Sequence, residues 1–212
     1  QYHTHAILQG LHEFTCYESV LEQLSTYTKA RYDQNPDKVV GDIFDIYRSI
    51  NIVPIVYYTE EGIKREILQL DNTVANSVEI METAVEVKKN PTIPLGNNQG
   101  QAINRFLFPN MMTAEPKGRG SNSLKDRFYD DNKLVRAIRL CFDHRDGNNL
   151  AHPTAIRRAL ELVTGENIQN FKPLNARAIV EYLCPVLWGN VYDYSAGYGG
   201  RLLGITTSKM RY

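Results

Sequence analysis

The chain has 212 residues, 42% apolar and 10% aromatic, which suits one large soluble domain or two small ones with a real core. There is no run of about eighteen apolar residues, and the polar start does not resemble a signal peptide. Cys16, Cys141 and Cys184 lie far apart, which argues against a disulfide framework or zinc ribbon and fits a reducing cytoplasm. The formal charge of zero is unevenly spread: residues 1–100 hold 8 Lys/Arg and 14 Asp/Glu, residues 101–212 the other 16 and 10. Only the second half is therefore suited to facing phosphates, although halves of opposite charge also serve plain docking.

In chain order, Thr15-x-x-Glu18 forms a capping box. Tyr17, Val20, Leu21 and Leu24 then recur at helical spacing, predicting a helix to about Lys29. Val40, Ile43, Phe44 and Tyr47 predict a second helix. The β-rich run 52–58 is an edge strand or an extended connection, because Pro54 cannot donate to a ladder. Thr59 caps a helix to about Leu70 with Ile63, Ile67 and Leu70 inward, and 77–89 is a weaker helix candidate with three valines. Residues 1–90 thus read as a helical domain with one short edge strand.

Residues 91–123 are punctuated by proline and glycine and read as an irregular loop or linker, with only a short apolar segment around Ile103 to Phe108. Its part 115–123 is expected to be mobile, with phosphate contact by Lys117 and Arg119 as the second reading. Residues 124–212 resume helical patterning. Leu134, Val135, Ile138, Cys141 and Phe142 make one stripe, and Lys133, Arg136 and Arg139 lie along another side. Such a basic stripe is either a solvated face or a contact with a nucleic-acid backbone. Pro153 opens a helix ending at Gly165, and Asn175 is expected to cap a last helix that Pro185 stops.

The most informative stretch is 191–204, Val-Tyr-Asp-Tyr-Ser-Ala-Gly-Tyr-Gly-Gly-Arg-Leu-Leu-Gly. It reads as a short strand ending at Asp193, a glycine-rich turn and a helix. Glycine permits positive φ and close approach of backbone to a ligand, and such turns bind nucleotide-like molecules in open α/β sheets. The same pattern also serves ordinary tight turns, with Asp193 merely capping the next helix.

This stretch resembles motif I of class I S-adenosylmethionine-dependent methyltransferases, and most of all bacterial and phage DNA methyltransferase-like proteins. The resemblance covers roughly residues 168–208. It implies a fold that is mostly α and becomes α/β at the C-terminal end, where a helical N-terminal domain leads into the first strand of a Rossmann-like sheet. It implies S-adenosylmethionine as cofactor, held by Asp193, Ser195, Ala196, Gly197, Gly199 and Gly200, with Arg201 bracing Asp193 or the cofactor carboxylate. Phe171-Lys172-Pro173 resembles the segment called motif X, so Phe171 and Pro173 would pack near the methionine end; read alone, they are a core residue and a loop stop.

The implied activity is methyl transfer to an exocyclic amine of a DNA base, with DNA as partner. RNA, protein or a small molecule is the alternative acceptor, and a non-enzymatic helical module binding nucleic acid or protein is the rival class. Two features depart from the family pattern. Tyr194 stands where proline usually follows the acid, and no Asp/Asn-Pro-Pro-Tyr catalytic tetrad occurs in these residues. The chain is therefore expected to be the front of a longer methyltransferase, or to be completed by another polypeptide.

Other signatures fail. His144-Arg145-Asp146 looks like a kinase catalytic loop, but position 151 is alanine where the metal-binding asparagine belongs. The triplet reads instead as a helix end. His3, His5 and His12 lack a third well-spaced metal ligand.

Overall fold

The computed structural model describes residues 17–72, 98–116, 122–145, 147–164, 168–183, 189–195 and 197–208. The chain is mostly α-helical, and it divides into two compact units, each assembled from two separate stretches. No helix among the described residues is long and apolar enough to cross a membrane.

The first unit takes in residues 1–57 and 112–168. Its helices are α1 (described over 17–25), α2 (Lys29–Gln34), α3 (Pro36–Ile50), α4 (Leu124–Tyr129), α5 (Asp131–Asp143) and α6 (Pro153–Thr164). The helix expected to reach Lys29 breaks earlier, for a local polar reason. Ser25 and Thr26 turn their hydroxyls onto the carbonyls of Glu22 and Gln23, and Thr28 accepts from the Arg31 N–H to start α2. Hydroxyl side chains compete in this way with the helical ladder.

Asn35 then caps α3 with Pro36 in its first turn, and Asn51 at φ 51° ends it in the left-handed region. Ser123 and Asp126 form a reciprocal capping box on α4, and Asp130 caps α5. These caps bring the expected stripes to face one another. Val40, Ile43 and Tyr47 of α3 share one core with Leu134, Ile138, Cys141 and Phe142 of α5 and with Ile156 and Leu160 of α6. Each large side chain so buried contributes about 1.5–3 kcal/mol relative to exposure.

Polar tips of the core aromatics are satisfied: Tyr47 donates to the Ala151 carbonyl at 2.7 Å, and Tyr32 to Asp143 while stacking on Phe142. Tyr17 donates to the Ile55 carbonyl, which pins the Pro54 segment as an extended connection rather than a strand.

The second unit takes in residues 58–111 and 169–212. It contains α7 (Glu60–Asn72), α8 (Gln101–Leu107), α9 (Pro173–Leu183) and α10 (Gly200–Thr206), and the 3₁₀ turn Pro109–Met112 follows α8. Thr59 caps α7 as expected, accepting from the Gly62 N–H at 3.0 Å. The core is small: Leu70, Ile103, Leu174 and Leu203, flanked by Tyr58, Ile63 and Ile67.

Arg177 compensates in part for this small core. Its buried guanidinium binds Asp71 at 3.1 Å and Glu181 at 2.8 Å and reaches the last carbonyls of α7, where positive charge is favoured.

Three local expectations are corrected. The stretch 101–107, placed in an irregular linker, is helical, because Gly100 takes φ 79° at its N-cap and Ile103 turns inward. The last helix before the glycine motif begins at Pro173, whose ring suits the first turn, so Asn175 lies inside it rather than capping it. Residues 191–193, expected as a strand, have no strand assignment; among the described residues pairing is limited to an isolated bridge at Asn190. The helix candidate 77–89 and the Gly165 and Pro185 stops fall outside the described residues.

Candidate functional site

The glycine-rich turn is built within the second unit. Val191 to Asp193 run into it, Gly197 and Gly199 take φ 60° and 76°, and α10 leaves from Gly200. Asp193 organises the entry. One carboxylate oxygen accepts from the Ser195 N–H at 2.9 Å, and the other accepts from Arg201 Nε at 2.6 Å. The Arg201 guanidinium also lies over the Phe171 ring, 5.6 Å from its centroid. Phe171, Asp193 and Arg201, drawn from two separate sequence segments, therefore meet at one place.

The glycines divide into two kinds. A Cβ at Gly199 would fall 2.3 Å from the Phe108 ring, one at Gly200 2.0 Å from the Phe171 carbonyl, and one at Gly204 2.1 Å from the Pro173 carbonyl. All three glycines are required by packing: Gly200 and Gly204 because α10 lies directly against the backbone that leads into α9, and Gly199 because the Phe108 ring covers it. Gly197 is different: a Cβ there would meet nothing closer than the Ser195 carbonyl at 3.8 Å. Its positive φ is matched by open space, which is the condition for backbone to approach a ligand.

Two asparagines that sequence patterning did not single out hold the turn. Asn104 of α8 and Asn170 both donate from their side-chain amides to the Tyr198 carbonyl, at 3.0 and 2.9 Å. Asn104, the fourth residue of α8, is almost wholly buried beside Ile103, and an asparagine next to that isoleucine in a short apolar segment was the available signal. Phe108, against Gly199, likewise lay in the segment read as irregular. Tyr192 and Tyr194 flank Asp193 and are each 89% exposed.

The remaining candidates are dispersed. Pro173 supplies the carbonyl against Gly204 and a ring against Gly100, a packing position. Ser195 is exposed. Lys133, Arg136 and Arg139 all lie on α5 of the first unit. Lys133 pairs with Asp130 at 3.0 Å and Arg139 with Asp37 at 2.7 Å, while Arg136 is exposed. Ala196, Lys117 and Arg119 lie outside the described residues, as do His3, His5 and His12.

Among the described residues no group of three or more histidine, cysteine or acidic side chains is placed to hold a metal ion. Cys141 is a buried free thiol whose burial pushes its pKa up to about 12, so it is inert at neutral pH. Set against known proteins, the chain matches no family model, no curated protein and no solved structure.

Proposed function

We propose that the turn 193–200 is the cofactor turn of an S-adenosylmethionine-dependent methyltransferase, with a DNA base as methyl acceptor. The observation that carries this reading is Gly197, the one glycine of the turn that packing does not require. Its backbone conformation and the open space beside it fit a ligand laid against the chain. When bound, S-adenosylmethionine supplies a methyl group already activated by its sulfonium.

On this reading the chain's own residues do the positioning. Asp193 fixes the start of the turn through the Ser195 N–H, and Arg201 holds that carboxylate in one orientation. Asn104 and Asn170 fix the far side through the Tyr198 carbonyl, and Phe171 shields the guanidinium. Holding reactants in place is worth several kcal/mol of barrier in such reactions. Val191 to Asp193 would then be the first strand of a Rossmann-like sheet.

The rival is a non-enzymatic helical module that binds nucleic acid or protein. It is favoured by one observation, that Gly199, Gly200 and Gly204 already have a packing role. The test is transfer of labelled methyl from S-adenosylmethionine to duplex DNA by the native full-length protein. Label in DNA, lost in a folded Gly197→Val variant, supports the proposal. Salt-dependent DNA binding by a protein that transfers no methyl supports the rival.

A further inference from the structure

The first unit carries a second candidate site, independent of the glycine turn. A cavity of about 280 Å³ opens between the end of α5 and the start of α6, lined by Arg145, Asn149, His152, Thr154, Ala155 and Arg158. Among the described residues no carboxylate lines it, and two arginines share it. Six other arginines of the chain hold acidic partners: Arg31, Arg48, Arg139, Arg157, Arg177 and Arg201. Neither Arg145 nor Arg158 has one among the described residues. Two arginines at one cavity, without acidic partners among the described residues, concentrate positive charge there that an anion would offset.

The rest of the lining suits an oxyanion. Burial lowers the pKa of His152, keeping its ring neutral, and its Nδ1 accepts from the Thr154 N–H at 3.2 Å. The ring's proton is therefore on Nε2, which remains a donor. Asn149, held at φ 62°, and Thr154 also line the cavity, and their side chains carry an amide and a hydroxyl that can donate. The first N–H groups of α6 are already used, by His152 Nδ1 and by the His152 carbonyl. An anion here is thus held by side chains rather than by the helix terminus.

The geometry points to a phosphate-binding site, taking a phosphate group on two arginines with Asn149, His152 and Thr154 as further donors. Arginine forks match phosphate oxygens bidentately, and the cavity is smaller than those that enclose drug-sized ligands. The group comes either from a free phosphate or from a nucleic-acid backbone.

The test is calorimetric titration of the full chain with inorganic phosphate, repeated with a short single-stranded oligonucleotide as competitor. Saturable phosphate binding, weakened at least about tenfold in Arg145→Gln/Arg158→Gln but unchanged in Arg136→Gln, supports the site. Competition by the oligonucleotide assigns the group to nucleic acid, and its absence assigns it to free phosphate; in either case the site stands. Both arginines reach solvent, so the variant is expected to fold, which circular dichroism checks. No saturable binding by the wild type, or binding that the folded double variant retains, overturns the proposal.

Discussion

The two units are held together by different means. The first has a continuous core running from Leu24 through Tyr47 and Phe142 to Leu160, with polar tips of its buried aromatics hydrogen-bonded. The second has, among the described residues, a cluster of four core side chains, and uses close backbone approach at Gly200 and Gly204, the Phe108 ring packed on Gly199 and the ties made by Arg177. A large apolar core tolerates the loss of a few contacts. A contact made between backbones admits no added atom. The unit that carries the candidate cofactor turn is therefore the one whose geometry is more tightly specified and less deeply buried.

The largest expected effect breaks the first unit. Phe142→Ala removes a fully buried ring stacked on Tyr32, and should cost about 3–5 kcal/mol in urea-induced unfolding. A loss under about 1 kcal/mol would mean that this core is loosely packed.

The second unit should break differently. Gly204→Ala adds a Cβ that would sit 2.1 Å from the Pro173 carbonyl, so α10 must move off α9. A cost of about 1–3 kcal/mol is expected from overpacking. Hydrogen exchange should accelerate in Pro173–Leu183 and Gly200–Thr206 and stay unchanged in Asp131–Asp143, whereas uniform acceleration would deny the units their separate character.

A smaller effect separates them by pH. In the unfolded chain the Cys141 thiol ionises near 9.0, whereas in the folded first unit burial keeps it protonated to about 12. The folded state then binds more protons than the unfolded one, so stability falls as pH rises through this window. Between pH 8 and pH 10 the loss attributable to Cys141 should be about 1 kcal/mol, and Cys141→Ala should remove it from the slope. Buried Tyr17 and Tyr47 act in the same direction at higher pH, since burial raises both.

What could be read from sequence divides along the same line. In the first unit the stripes of α3 and α5 were legible because each helix buries one face at regular spacing, and Pro153 marks a helix start. The break at Thr28 was not, because a hydroxyl cap competes with continued helix only by a small margin. In the second unit the glycine turn was visible as a pattern, but its meaning was not. The pattern cannot tell a glycine that faces Phe108 from one that faces open space, since that depends on segments distant in sequence. The α8 helix was missed because seven residues between glycine and proline show little periodicity. The Asp193–Arg201 pair was one of three options for Arg201, beside a cofactor contact and a plain surface position, and the structure contains it.

The most direct measurement is S-adenosylmethionine binding to the native full-length protein by calorimetry, compared with Gly197→Val. The account predicts saturable binding by the wild type and its loss in the variant, with hydrogen exchange of α9 and α10 unchanged, so that the backbone strain of valine at φ 60° is confined to the exposed turn. No binding by the folded wild type, or equal binding by the variant, would contradict the assignment of this turn to the cofactor.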